Sequence, residues 1–126
     1  MIEFQNVSFS YENGDHAGQL HNINFTIPDG QVVLLCGESG CGKTTLTRLL
    51  NGLIPNYYEG RLEGRVFIDG KSIVEKPLYE IASLTGSVFQ NPRSQFFAVD
   101  TNSELAFGCE NLGIAENEII ARMKRT

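Results

Sequence analysis

Hydrophobic positions open the chain in near-alternation. Ile2 and Phe4, then Val7, Phe9 and Tyr11, read as a strand with one slip near Asn6. Its mixed faces suit an edge-type antiparallel strand. Glu12 to Gly18 is polar and reads as a loop. Leu20, Ile23, Phe25 and Ile27 resume as a second strand, closed by the turn residues Pro28-Asp29-Gly30. Val32 to Cys36 is continuously apolar, the pattern of a strand buried on both faces. A glycine loop follows. From Lys43 the period changes: Leu46, Leu49, Leu50 and Leu53 fall on one helical face, and Pro55 is expected to stop that helix.

Beyond an aromatic-polar loop from Asn56 to Arg61, Arg65 to Asp69 reads as a strand ending at the Asp69-Gly70 turn. Pro77 to Leu84 reads as a short helix with proline in its first turn. Gly86 to Gln90 reads as a short strand beside the Val32 to Cys36 strand. Thr101-x-x-Glu104 has the form of a capping box opening a helix, with Gly113 as the residue beyond its end. A last helix starts near Glu116 and carries Ile119, Ile120 and Met123. No cap or breaker precedes Thr126, so the pattern suggests the front portion of a larger domain.

Composition narrows the function classes. The 126 residues are 41% hydrophobic and 20% charged, an ordinary globular balance. The net charge is −5, the pI is about 4.9, and no Lys/Arg run exceeds the pair Lys124-Arg125, which disfavours a nucleic-acid surface. The longest apolar run, Val32 to Cys36, falls far short of the ~20 residues that cross a bilayer, and no signal-peptide pattern is read. Cys36, Cys41 and Cys109 lack metal-site spacing, and His16 and His21 offer little toward a metal centre.

The chemistry is concentrated in Gly37-Glu38-Ser39-Gly40-Cys41-Gly42-Lys43-Thr44-Thr45, which matches the phosphate-binding pattern G-x-x-x-x-G-K-[ST]. Phosphate oxygens are best approached by backbone N–H groups, so side chains are unwelcome and positive φ must be available. Gly37, Gly40 and Gly42 satisfy both needs. The helix that follows offers unpaired N–H groups and a positive dipole end. Lys43 adds a point charge for the β- and γ-phosphates, and the Thr44 hydroxyl is a hard ligand for Mg²⁺. Cys41 is read as a small spacer, or as a thiol activated by the dipole and Lys43.

With these residues in view, the chain resembles the nucleotide-binding domain of ABC transporters. GESGCGKTT is the family's shape of this loop. IEFQNVSFSY resembles its first strand, which ends in an aromatic that stacks on adenine; the matching residue is Tyr11, for which simple packing is the competing reading. SVFQNP resembles the family's Q-loop, whose glutamine, here Gln90, positions Mg²⁺ or water. FQNPRSQFFAVDTNSELAFGCENLGI is similar to the energy-coupling factor ATPases, which power uptake of vitamins and transition-metal ions.

The resemblance implies an α/β fold of the P-loop nucleoside triphosphate hydrolase type with an N-terminal antiparallel β subdomain, cut before the Walker B strand. It covers essentially the whole chain, residues 1–126. It implies ATP and Mg²⁺ as ligands and a second ATP-binding domain in a homo- or heterodimer. A transmembrane importer subunit is expected to dock near Phe96, Phe97 and Val99, which places the chain in the cytoplasm, peripheral on the inner face of the membrane. Lys43 and Gln90 would serve turnover. The signature motif, Walker B aspartate and switch histidine are not in the sequence, so the chain alone is expected to bind nucleotide without hydrolysing it. The alternatives are a non-transporter ABC-type ATPase and a non-catalytic nucleotide-binding fragment.

Overall fold

The computed structural model describes residues 1–12 and 18–126; the expected loop after Tyr11, including His16, lies mostly outside them. The chain divides into two compact units, Met1–Gly86 and Ser87–Thr126. The first contains a four-stranded antiparallel sheet in the order β2-β1-β3-β4, with β1 at Ile2–Tyr11, β2 at Leu20–Ile27, β3 at Gly60–Ile68 and β4 at Lys71–Ser72. The opening strand is therefore central and not an edge. Its partner β3 begins at Gly60, taking in residues expected to form a loop.

The slip near Asn6 is a β-bulge. Phe4 and Val7, three apart, would face opposite ways in a regular strand, yet both are buried in one core with Phe9. Asn6 absorbs the extra residue at φ 51, its register shifts against both neighbours, and its N–H donates to Asn24 Oδ1 at 2.8 Å. Gly64 faces the bulge from β3 at φ 85; a Cβ there would lie 2.3 Å from Asn6 O and 2.5 Å from Gln5 O. The β3–β4 hairpin turns at Asp69 and Gly70, both at positive φ as a two-residue primed turn requires. The amino group of Met1 bonds the carboxylates of Asp29 and Asp69, and this hydrogen bond holds Asp69 below the usual carboxylate range.

One face of the sheet packs Phe4, Val7, Phe9, Leu20, Val66 and Ile68 against Leu46 and Leu49 of helix α1, Lys43–Leu50, and Ile81 of helix α3, Leu78–Leu84. Helix α1 ends at Leu50, because Gly52 adopts φ 75 before a short helical segment α2, Leu53–Asn56. Pro77 is the N-cap of α3 and not a residue of its first turn.

The strand expected over Val32 to Cys36 does not form. Residues 31–38 carry no regular structure, and Val32 and Leu34 are 101% and 84% exposed. Residues 86–89 are likewise not a strand, and Val88 is exposed. A strand exists only as part of a ladder, and no described strand flanks either segment.

In the second unit, helix α4 spans Thr101–Asn111 and α5 spans Glu116–Met123. The cap of α4 is Asp100, one residue before the expected Thr101: its carboxylate accepts from Ser103 N at 3.0 Å and Ser103 Oγ at 2.7 Å. These bonds lower the Asp100 pKa, so the cap persists into mildly acidic solution. Glu104, free of the capping-box role, accepts instead from the N–H groups of Phe97 and Ala98. Gly113, at φ 68, ends α4 in a Schellman motif: its N–H bonds Glu110 O, and Ile114 N–H bonds Cys109 O at 3.0 Å. Helix α5 closes at Met123 with Lys124 as C-cap.

Candidate functional site

The glycine loop occupies the segment before α1, and each glycine has a local reason. Gly42 is buried at φ 97 against the start of β2; a Cβ there would meet Leu20 Cδ2 at 2.8 Å and Gln19 O at 3.2 Å. At Gly37 a Cβ would meet Cys41 Sγ at 2.7 Å. Gly40, at φ 82, accepts at its carbonyl from Gly18 N–H at 2.7 Å, which ties the loop to the chain entering β2.

Lys43 folds back across this loop. Its ammonium donates to the carbonyls of Gly37 and Glu38 at 2.8 and 2.6 Å and lies 3.4 Å from Cys41 Sγ. The first amide of α1 with a helical partner is Leu46, which donates to Gly42 O at 2.9 Å. The N–H groups of Lys43, Thr44 and Thr45 precede it and bond no described residue, as helix geometry requires. The helix thus presents a positive end, amides without a described partner and a flexible cation together, and a glycine-rich loop lies before them. That combination suits a polyanion.

The two threonines, alike in sequence, differ in place. Thr44 is exposed, and its hydroxyl bonds no described residue. Thr45 is 2% exposed, and its hydroxyl is 3.0 Å from Tyr11 Oη. Thr44 is therefore the threonine able to offer an oxygen to a cation beside the loop, whereas the Thr45 hydroxyl is engaged and only its backbone N–H lacks a described partner. The side chains of Glu38, Ser39 and Cys41 are exposed at the loop rim. Tyr11 is half-buried, in edge contact with Phe9 and Tyr58.

Gln90 and the apolar segment belong to the second unit. Gln90 is exposed after residues 87–89, which carry no regular structure and are bonded by Gln95. The Gln95 side chain donates to Ser87 O at 3.0 Å and accepts from Phe89 N–H at 2.9 Å, replacing the missing strand partner on one side. No local pattern in the sequence marks Gln95 for this role, since it depends on residues 86–89 having no strand partner. Phe96, Phe97 and Val99 are all exposed, with Phe97 stacked on Phe107 at 5.5 Å. Among the described residues no cluster of three His, Cys, Asp or Glu side chains forms a metal centre, and no helix is long and apolar enough to cross a membrane.

A glycine loop opening a helix with Lys43-Thr44, beside an antiparallel sheet, defines a P-loop nucleoside triphosphatase fold. The sequence matches the ABC transporter family over residues 20–125, and the chain belongs to that family. It is similar to a putative ABC transporter ATP-binding protein of Treponema denticola, 50% identical over 99% of this chain and 25% of that protein. A protein of the same description from Methanosarcina mazei is 41% identical over 100% of this chain and 21% of its own length. One from Pyrococcus abyssi is 41% identical over 98% of this chain and 44% of its own. The chain thus spans less than half the length of these relatives.

Proposed function

We propose that this chain supplies the phosphate-gripping part of an ATP-binding component of an ABC importer of energy-coupling factor type, which drives uptake of a vitamin or metal ion. The observation that carries the nucleotide reading is the arrangement at the head of α1: Lys43 held across the loop, unpaired amides behind it, and Thr44 turned outward. Lys43 and the amides bind the triphosphate. The Thr44 hydroxyl would offer an oxygen ligand to Mg²⁺, which would neutralise phosphate charge when bound. Tyr11 faces the base and Gln90 orients Mg²⁺ or water from the Q-loop. Hydrolysis belongs to a pair of complete domains and not to these 126 residues alone.

The test uses Cys41, exposed at the loop and 3.4 Å from Lys43 Nζ. A bulky maleimide on Cys41 is expected to block binding of a fluorescent ATP analogue, and Mg-ATP is expected to slow the labelling several-fold. Labelling of Cys41 at the same rate with and without saturating Mg-ATP would sink the nucleotide reading. Peptide mapping separates Cys41 from Cys36 and Cys109.

The partner side of the proposal rests on Phe96, Phe97 and Val99, an exposed apolar cluster in an irregular segment pinned by Glu104. It is the docking surface for a transmembrane subunit, which holds the protein at the cytoplasmic face of the membrane. A second ATP-binding domain completes the nucleotide sandwich, and the net charge of −5 favours no nucleic-acid partner. Phe97→Ala is expected to weaken co-purification with the membrane subunit by about tenfold while ATP binding is retained. Equal loss of both would show that Phe97 serves the fold and not the interface.

A further inference from the structure

Arg48 lies on α1, five residues past Lys43, and joins three segments of the first unit. Its guanidinium sits 3.9 Å over the Tyr58 ring, on the connection between α2 and β3. Its Nη1 donates to Tyr11 Oη at 3.0 Å, at the end of β1. Tyr11 Oη in turn lies 3.0 Å from Thr45 Oγ1. A guanidinium only donates, so the Tyr11 oxygen accepts the Arg48 hydrogen, and one further hydrogen bond joins the Tyr11 and Thr45 hydroxyls. Among the described residues Arg48 forms no ion pair with a carboxylate; its polar and aromatic contacts are both with tyrosines.

Tyr11 stands in the middle of this chain of contacts, so its displacement is penalised from both sides. Thr45 is 2% exposed, and a buried hydroxyl without a partner is costly, so swinging Tyr11 outward would orphan it. The same movement would strip Arg48 of its acceptor and leave the cation on Tyr58 alone. Tyr11 is therefore fixed in register with the helix that begins with Lys43 and Thr44. We infer that Arg48 is a positioning residue: through Tyr11 Oη and the Tyr58 face it sets how tightly the site holds the base of a nucleotide, and leaves the grip on the phosphate chain to the loop. This rests on the reading of Tyr11 as the base-facing aromatic.

Calorimetric titration of the chain with Mg-ATP and with inorganic tripolyphosphate separates the two halves of the ligand. Arg48→Met keeps the aliphatic stem and removes every donor. It is expected to weaken ATP binding by about tenfold while tripolyphosphate affinity stays within about twofold. Arg48→Lys restores a donor without the planar face and is expected to recover part of the ATP affinity. Equal weakening of both ligands, or of neither, overturns the role given to Arg48. Should circular dichroism show Arg48→Met to be unfolded, Tyr58→Leu removes only the ring beneath the cation and must give the same split between ligands. A wild-type chain that binds ATP no better than tripolyphosphate overturns the base-facing reading of Tyr11 itself. A wild-type chain that discriminates, with Arg48→Met discriminating equally well, overturns only the role of Arg48.

Discussion

Lys43→Ala is expected to reduce ATP affinity by roughly 30- to 150-fold, equivalent to about 2–3 kcal/mol for one charge-assisted contact to phosphate. The same variant should melt close to the wild type. Among the described residues Lys43 bonds the carbonyls of Gly37 and Glu38 and the Cys41 sulfur, all in an exposed loop where water replaces the lost donor. The effect should therefore fall on binding and spare the fold, which equilibrium titration and a thermal melt measured side by side will show. Unlike Arg48→Met, Lys43→Ala should weaken tripolyphosphate as much as ATP. An affinity for ATP unchanged within error would remove the basis for assigning the phosphate site to this loop.

Gly64→Ala is expected to be the most damaging single methyl addition to the sheet, costing about 3–5 kcal/mol. Two penalties coincide there. The backbone is at φ 85, and the new Cβ would fall 2.3 Å from Asn6 O and 2.5 Å from Gln5 O. Both obstructing atoms are backbone in the bulge of the central strand, so relief requires β1 and β3 to separate. Gly70→Ala provides the comparison: φ is similar at +74, but a Cβ there meets nothing within 4 Å. It should cost only the conformational part, about 1 kcal/mol. Urea unfolding of the two variants distinguishes the contributions, and equal midpoints would show that the bulge gives way without cost.

That bulge also illustrates what a single sequence exposes. The three-residue step from Phe4 to Val7 inside an alternating run was a sufficient sign of an extra residue at Asn6, and the Lys43-Thr44 loop was specified by glycine spacing. Gly113 was readable as a helix terminator because few other residues reach its conformation. The failures share a different cause. The apolar run Val32 to Cys36 carries a strand's composition, but composition does not supply a neighbour, and no strand forms without one. Asp100 and Thr101 are both competent caps in adjacent positions, so the pattern left a one-residue ambiguity that Glu104 resolved wrongly. The contacts of Arg48 with Tyr11 and Tyr58 link residues on separate segments, and Thr44 and Thr45 differ only in which way the helix turns them. Such facts depend on packing, and no local period announces them.

The ammonium of Lys43 already has acceptors before any ligand arrives. Capture of a phosphate chain at this loop is therefore a substitution, in which two peptide oxygens are released as phosphoryl oxygens replace them. The heat of binding is a difference between two sets of similar bonds and should be small for the size of the affinity. The gain lies in charge neutralisation, so an incoming group must carry enough negative charge to outcompete the chain's own carbonyls. A lone monoanion has little advantage over them; a triphosphate has a large one. On the proposed nucleotide reading, the loop sets a threshold of negative charge for its ligands.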